Sequence, residues 1–353
     1  MAEEKRKGKW KKSHKWVLFV VIGVAALFLA LIGSAFLVYD HYYKKTNYVP
    51  DPESIEISSD ILESVIASTE LDPSEESSIL ADLESIKEER AALESIRKEM
   101  DSMTDDRPEA ISRSDVYNLL LIGVDRRNAT WNGNSDTMVV CSINYTKKTI
   151  TLTSLMRDTA ANIPGIGVRK LNHAFAVGNA PLLVSTVANN FGIVVDNYAW
   201  TDFTSMEQII EILGGIDLYL SVKEAKTVGI TIESPMVVHL DGKQAVLHAR
   251  DRSSGGSDYL RTQRQRNVLL AILNKAKSGS LGDLNRVANE VLPFITHNIS
   301  QGKMLSLITD MLSISEYTLQ EQRIPYDGLY YSSNELLVPN YAETAARWKA
   351  FVY

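Results

Sequence analysis

Apolar residues run without a charged interruption from Trp16 to Tyr39. As a helix rising about 1.5 Å per residue, that run is long enough to cross a hydrocarbon core of about 30 Å. A different pattern follows. Ile79, Leu83, Ile86, Arg90 and Leu93 step by 4, 3, 4 and 3, and Ile96, Met100 and Met103 continue after one three-residue slip. This spacing predicts a coiled-coil seam with a stammer and one charged position. From Asp115 onward the pattern changes again. Val116–Asp125, Asp136–Asn144 and Ile150–Arg157 are short β-branched and aliphatic runs that predict buried strands. Helical spacing covers 181–191, 202–213, 242–249, 259–277, 283–296, 302–313 and 340–351, and Leu213–Leu220 predicts a turn and a strand. Strands alternating with amphipathic helices predict an α/β sheet with helices on both faces. The 239 residues from Asp115 to Tyr353 are enough for one sizeable core.

Charge gives the first two segments a setting. Residues 1–15 carry seven Lys/Arg against two Glu, directly before the apolar run. A cationic flank followed by an apolar span predicts a cytoplasmic N-terminal tail (1–15) and a transmembrane helix (16–39), with the rest of the chain outside. The run exceeds the usual apolar region of a cleaved signal peptide and ends in an aromatic belt, Val38-Tyr39-Asp40-His41-Tyr42-Tyr43, without a small-x-small exit. Residues 51–109 hold nineteen Asp/Glu against five Lys/Arg. Asp51-Pro52 and Asp72-Pro73 have the form of helix starts, and Glu75 stands at capping-box distance from Asp72. Segment 40–110 is therefore an acidic helical stalk, or, on the alternative reading, a disordered acidic spacer. The single cysteine, Cys141, lies in an apolar strand and reads as a packed thiol. The six histidines are scattered, and no Cys/His metal spacing occurs.

The candidate chemistry centres on Arg250, Arg252, Arg261, Arg264 and Arg266, five arginines in seventeen residues of a chain with net charge −7. Guanidinium groups repel, and their planar forks match phosphate oxygens two at a time. The alternative is a solvated helical face. Asp125 ends one predicted strand and Asp136 begins the next, so adjacent strand ends bring two carboxylates together. Such a pair suits Mg²⁺, which binds through one or two carboxylates plus phosphates; the alternative is two turn-forming aspartates. Arg157-Asp158 ends the third strand, either at a ligand crevice or as a local ion pair. Lys170 and Asn172 sit at a predicted helix start, where a plain cap is the alternative.

Asn118-LLLIGVD-Asp125, Ser135-DTM-Met138, Ser154-LMRDT-Thr159, Lys170-LN-Asn172, Gly214-GID-Asp217, Gly242-KQAVLHARDR-Arg252 and Asp258-YLRTQRQR-Arg266 occur in an order that resembles the LytR–CpsA–Psr family. The resemblance covers about residues 116–270. It implies a three-layer α/β/α sandwich with a central mixed sheet and a hydrophobic tunnel, forming an extracytoplasmic catalytic domain over 111–353. It also implies a membrane-anchored enzyme, mostly of Gram-positive bacteria, that moves a glycopolymer from an undecaprenyl-pyrophosphate carrier onto peptidoglycan through a phosphodiester. Teichoic acids and capsules are typical cargo.

Carried over by position, the resemblance assigns Asp125 and Asp136 to Mg²⁺, with Mn²⁺ as the alternative ion. It places Arg157, Arg250, Arg252, Arg261 and Gln265 around the pyrophosphate. Asp258 falls beside that cluster and Lys170 near the head group, while Arg264 and Arg266 lie in the motif without a settled role. Asp136 and Asp158 are candidate bases. Two residues depart from the pattern. Met156 stands where a Pro is usual, which is expected to loosen Arg157, and His248 stands where a Tyr is common. The stretches 116–123 and 181–195 are expected either to line the tunnel or to pack as core. The Tyr-rich loop 326–333 either shapes the acceptor groove or closes the domain, and the 79–103 seam offers a route to self-association. Two rival functions share the same residues: a non-catalytic polyprenyl-phosphate-binding module and a pyrophosphatase. Nucleic acid is not an expected partner, because the arginines lie outside the cell and no helix-turn-helix or broad basic surface is present.

Overall fold

The computed structural model describes residues 37–52, 95–96, 98, 108–126, 132–254, 258–277, 289–314, 316–333 and 335–353. The basic tail, most of the predicted span and most of the predicted stalk lie outside the described residues. The last positions of the span, from Leu37, are helical. Among the described residues no helix is long and apolar enough to cross a membrane.

The chain divides into one unit up to Thr46 and a second from Asn47 to Tyr353. In the second unit a seven-stranded sheet runs in the order β1-β10-β7-β2-β3-β4-β11. Its strands are β1 (Asn47–Tyr48), β2 (Val116–Asp125), β3 (Asn134–Asn144), β4 (Thr149–Leu155), β7 (Asn197–Asp202), β10 (Thr296–His297) and β11 (Thr318–Ile324). β2 pairs antiparallel with β3 and parallel with β7, and β4 pairs antiparallel with β3 and parallel with β11, so the sheet is mixed. Among the described residues three antiparallel strand pairs stand apart from it: β5 (Ala160–Ile163) with β6 (Gly167–Lys170), β8 (Ile216–Leu220) with β9 (Met236–Leu240), and β12 (Tyr330–Ser333) with β13 (Leu336–Pro339). The edge strand β1 comes from residues that the sequence assigned to the stalk, so the folded unit begins before residue 111.

β2 sits in the middle of the sheet and is covered on both sides, which is why it reads as a near-continuous apolar run. Leu120, Ile122 and Val124 pack into a core with α1 (His173–Phe191) and α7 (Tyr341–Val352), where Phe175, Leu183 and Trp348 are fully buried. The intervening Leu121 and Gly123 face the other side, towards α2 (Phe203–Ile212), α4 (Gly242–Arg250) and α5 (Asp258–Lys277). A second core there joins Ile210 of α2, Ala245 of α4 and Val268 of α5 to the β8–β9 pair and to α3 (Val222–Thr227), which lies in the connection between those strands. Helices on both faces of a mixed sheet match the three-layer expectation. A further helix, α6 (Gln301–Ile314), precedes β11.

Three local departures have physical causes. α1 starts at His173, eight residues before the predicted helix, and bends at Gly178 and Asn179 ahead of Pro181, which has no N–H to donate. The third strand stops at Leu155, because Arg157 enters the turn that leads to β5. The predicted helix 283–296 falls largely outside the described residues, and its end is a 3-10 turn at Leu292–Phe294 leading into β10.

Candidate functional site

The β2–β3 ladder carries a bulge. Gly123 pairs with Thr137 and Val124 with Ser135, leaving Asp136 as the extra residue on β3. A bulge re-aims the side chain at the inserted position. Here it lets Asp136 border the same polar cavity as Asp125, which ends β2. That cavity, about 310 Å³, is also walled by Arg157, Arg250, Arg252, Arg261 and Gln265.

Each arginine arrives on a different device. Arg157 follows β4 and places Nη1 3.0 Å from Asp136 Oδ1. The Met156 departure does not loosen it. Met156 is buried, and its N–H donates to Ile324 O at 2.9 Å, a bond that proline could not make. Arg250 ends α4, a helix started by an Asp241–Gln244 capping box. Its guanidinium lies 4.7 Å from the centre of the Phe203 ring, and its Nη2 is 3.6 Å from Asp125 Oδ2. Arg252 follows one residue beyond Asp251 and is half exposed, at the rim. Arg261 and Gln265 lie one turn apart on α5, so both project from one face. Gln265 Nε2 donates to Asp136 O at 3.2 Å.

Asp158, Lys170 and Asp258 do not border the cavity; they brace the residues that do. Asp158 Oδ2 is 3.4 Å from Arg157 Nε, and its Oδ1 is 3.2 Å from Lys170 Nζ. Lys170, at the end of β6 rather than at a helix start, also reaches Glu335 at 3.0 Å. Asp258 Oδ2 lies 2.8 Å from Arg261 Nη2, and its Oδ1 lies 3.9 Å from Arg252 Nε. Burial pushes the Asp258 carboxyl up and the Arg261 guanidinium down from their ordinary values. At Arg157 burial works against the charge, but Asp136 prevails and the guanidinium is held above its usual range. Among the described residues Arg157 Nε and Arg261 Nε are buried donors without a hydrogen-bond acceptor, although Asp158 pairs with the first as an ion. Four arginines on the wall of one polar cavity favour an anion there.

A second cavity, about 270 Å³ and almost wholly apolar, adjoins the first. The two share Phe203 and Gln265. Leu121 and Gly123 of β2 form part of its wall, whereas residues 181–191 of α1 pack in the core on the other face or border a third pocket elsewhere. Strand β7 adds Ala199 and Trp200, and the helices add Met206 and Ile209 of α2, Val246 and Ala249 of α4, and Val268, Leu269 and Ile272 of α5. The sequence reading missed this wall. Its signal was the apolar stripe 268, 269 and 272, which continues the Arg261–Gln265 face by single helical turns.

Asp125 and Asp136 fit a hard divalent cation: two carboxylates on one polar wall, beside room for phosphate. Among the described residues no group of three or more His, Cys, Asp or Glu side chains is gathered to hold a metal. The remaining oxygens would have to come from substrate and water, as is usual for Mg²⁺.

The profile of the LytR_cpsA_psr family matches residues 82–350. The chain is 33% identical over 236 residues to the polyisoprenyl-teichoic acid–peptidoglycan teichoic acid transferase TagU of Enterococcus faecalis, covering 63% of this chain and 75% of that one. It is 31% identical over 231 residues to the corresponding transferase TagT of Bacillus subtilis, covering 62% and 71%. The fold is similar to that of TagT bound to LIIa-WTA, with a TM-score of 0.55, 27% identity, and coverage of 70% of this chain and 93% of that one. It is also similar to TagT with bound octaprenyl pyrophosphate lipid, with a TM-score of 0.52, 25% identity, and coverage of 70% and 95%. With its motifs in order, its mixed sheet and a profile match over most of its length, the chain belongs to the LytR–CpsA–Psr family, and these relatives are transferases.

Proposed function

We propose that this chain is a membrane-anchored phosphotransferase that moves a glycopolymer from an undecaprenyl-pyrophosphate carrier onto peptidoglycan through a phosphodiester bond. The junction of the two cavities at Phe203 and Gln265 carries this reading. An apolar cavity that shares two wall residues with an arginine-walled one has the amphiphilic form of a polyprenyl pyrophosphate. The octaprenyl pyrophosphate bound by the relative TagT supports the same ligand class.

In the proposed reaction a muramic acid hydroxyl oxygen bonds to the phosphorus that bears the glycan. The bond from that phosphorus to the bridging oxygen breaks, and polyprenyl phosphate leaves with the electron pair. Phosphoryl transfer asks the protein for positioning and charge neutralisation rather than covalent help. Arg157 and Arg261 meet the diphosphate from the buried wall, and Arg250 and Arg252 meet it from the rim. Asp125 and Asp136 would hold Mg²⁺ or Mn²⁺, which would neutralise charge growing on the phosphoryl oxygens. Of the two candidate bases only Asp136 borders the cavity. It is paired with Arg157, so the hydroxyl proton passes to solvent at the open mouth. The setting at the cell membrane, with a cytoplasmic N-terminus, rests on residues 1–39. A tether there keeps the enzyme at high effective concentration near both the lipid donor and the wall.

The test uses the full chain in detergent micelles with a short lipid-pyrophosphate glycan and peptidoglycan oligomers, with Mg²⁺ or with EDTA. The expected product is a glycan–phosphate–peptidoglycan adduct formed only with the metal. Free glycan phosphate without adduct would make the protein a pyrophosphatase. Tight lipid binding without turnover in either condition would make it a binding module. Pairing through the 79–103 seam predicts a dimer in sedimentation that is lost when Leu83 and Leu93 become Asp.

A further inference from the structure

Two arginines of the motif, Arg264 and Arg266, do not reach the polar cavity, yet both are buried. Arg264 is 5% exposed and uses all three guanidinium nitrogens. Nε donates to Glu224 Oε1 at 2.8 Å, Nη1 to the main-chain oxygen of Asp251 at 2.9 Å, and Nη2 to Ser254 Oγ at 2.7 Å. Asp251 is the residue between Arg250 and Arg252, the two arginines at the rim of the cavity. Its carboxylate closes the same loop, accepting from Ser253 N at 2.7 Å, Ser253 Oγ at 2.8 Å and Ser254 N at 3.3 Å. Glu224 is itself fixed by the capping box that starts α3.

Burying a guanidinium costs several kcal/mol of desolvation, and an apolar side chain of similar volume often stabilises a fold at least as well. Stability alone is therefore a weak reason for an arginine here. The three acceptors suggest a better one. A planar fork bonded to a main-chain oxygen, a loop hydroxyl and a carboxylate on a separate helix sets both position and orientation, which a lysine ammonium cannot do.

We propose that Arg264 is a positioning residue for the pyrophosphate site: by clamping the backbone at Asp251 against α5 and Glu224, it sets where Arg250 and Arg252 present their guanidinium groups. This rests on the reading of the polar cavity as the pyrophosphate site. Arg264 touches no substrate and acts through the loop. The same helix then divides its work by face, with Arg261 and Gln265 towards the polar cavity and Arg264 towards Asp251 and Ser254.

The test compares Arg264→Lys and Glu224→Gln with the wild-type full chain in detergent micelles. Binding of a polyprenyl pyrophosphate is measured beside binding of the uncharged polyprenol of the same length. Arg264→Lys is expected to weaken the pyrophosphate lipid about tenfold or more, the order expected for lost charged hydrogen bonds, and to leave the polyprenol unchanged. Glu224→Gln keeps an acceptor but loses the charge, and is expected to give a smaller loss of the same kind. Equal weakening of both lipids would mean general loosening of the fold and would overturn the proposal, as would unchanged pyrophosphate binding in both variants. If Arg264→Lys does not fold, Glu224→Gln decides by the same two criteria. A wild-type chain that binds both lipids equally would instead overturn the reading of the cavity.

Discussion

Asp136 Oδ1, at the bulge in β3, lies 3.0 Å from Arg157 Nη1, in the turn that follows the neighbouring strand β4. The carboxylate braces an arginine and, in the proposed reaction, would also offer a ligand to a cation. Asp136→Asn is expected to lower transfer by about two orders of magnitude, comparable to loss of one preorganised charge-stabilising group. It should also raise the Mg²⁺ concentration giving half-maximal rate. Asp125→Asn should raise that concentration too. Rates measured across a Mg²⁺ series check this, and variants that keep the wild-type metal dependence would remove both aspartates from the metal site.

Arg261 and Asp258 form a pair in which the arginine is 3% exposed. Arg261→Ala leaves the half-buried Asp258 without its nearest partner, and is expected to cost about 3–5 kcal/mol. The double variant Arg261→Met/Asp258→Leu removes both charges and should recover most of that stability without recovering transfer. Urea unfolding of the single and double variants, beside the transfer assay, separates the structural from the chemical role. Recovery of transfer in the double variant would remove Arg261 from the pyrophosphate site.

Much of this was legible in the sequence, and the limits have physical causes. β2, β3, α4 and α5 were readable because each keeps one periodicity over many residues. β10 and β1, the last two strands on one side of the sheet, have only two residues each and no pattern of their own, and are held by pairing with β7 and with each other. The arginine cluster marked a candidate anion site by composition, but composition does not separate Arg261, which borders the polar cavity, from Arg264, three residues later and turned away. Lys170 carried the right charge for the head group and Asp158 the right group for a base, and only tertiary placement shows that both stand behind Arg157. The carboxylate pair needed the bulge at Asp136, which no local spacing signals.

Asp251 gives a pH dependence of stability. Burial alone would raise its carboxyl, but hydrogen bonds from Ser254 and Ser253 hold it down at about 2. The unfolded chain titrates this group near about 3.9. A carboxyl depressed on folding adds stability that is fully present above the unfolded value and is lost as pH falls towards the folded one. Melting temperature is therefore expected to fall between about pH 4 and about pH 2, and Asp251→Asn should flatten that slope. A variant with the wild-type slope would assign the acid sensitivity to other carboxylates.

Ala249 precedes Arg250 on α4 and faces the apolar cavity, so a large side chain there would compete with the lipid tail for the same space. Ala249→Phe places an aromatic ring into about 270 Å³ of apolar void. A ring that enters a void gains apolar burial, whereas a ring forced into packed core costs about 1–3 kcal/mol. The melting temperature of the variant alone is therefore expected to hold or rise. Ligand binding should behave oppositely. Octaprenyl pyrophosphate should raise the melting temperature of the wild-type chain in proportion to the logarithm of its concentration, and should raise that of Ala249→Phe far less. Inorganic pyrophosphate, which has no tail, should shift both proteins alike. The contrast locates the tail: a variant stabilised by octaprenyl pyrophosphate as strongly as the wild type would place the prenyl chain outside this cavity while leaving the arginine site intact.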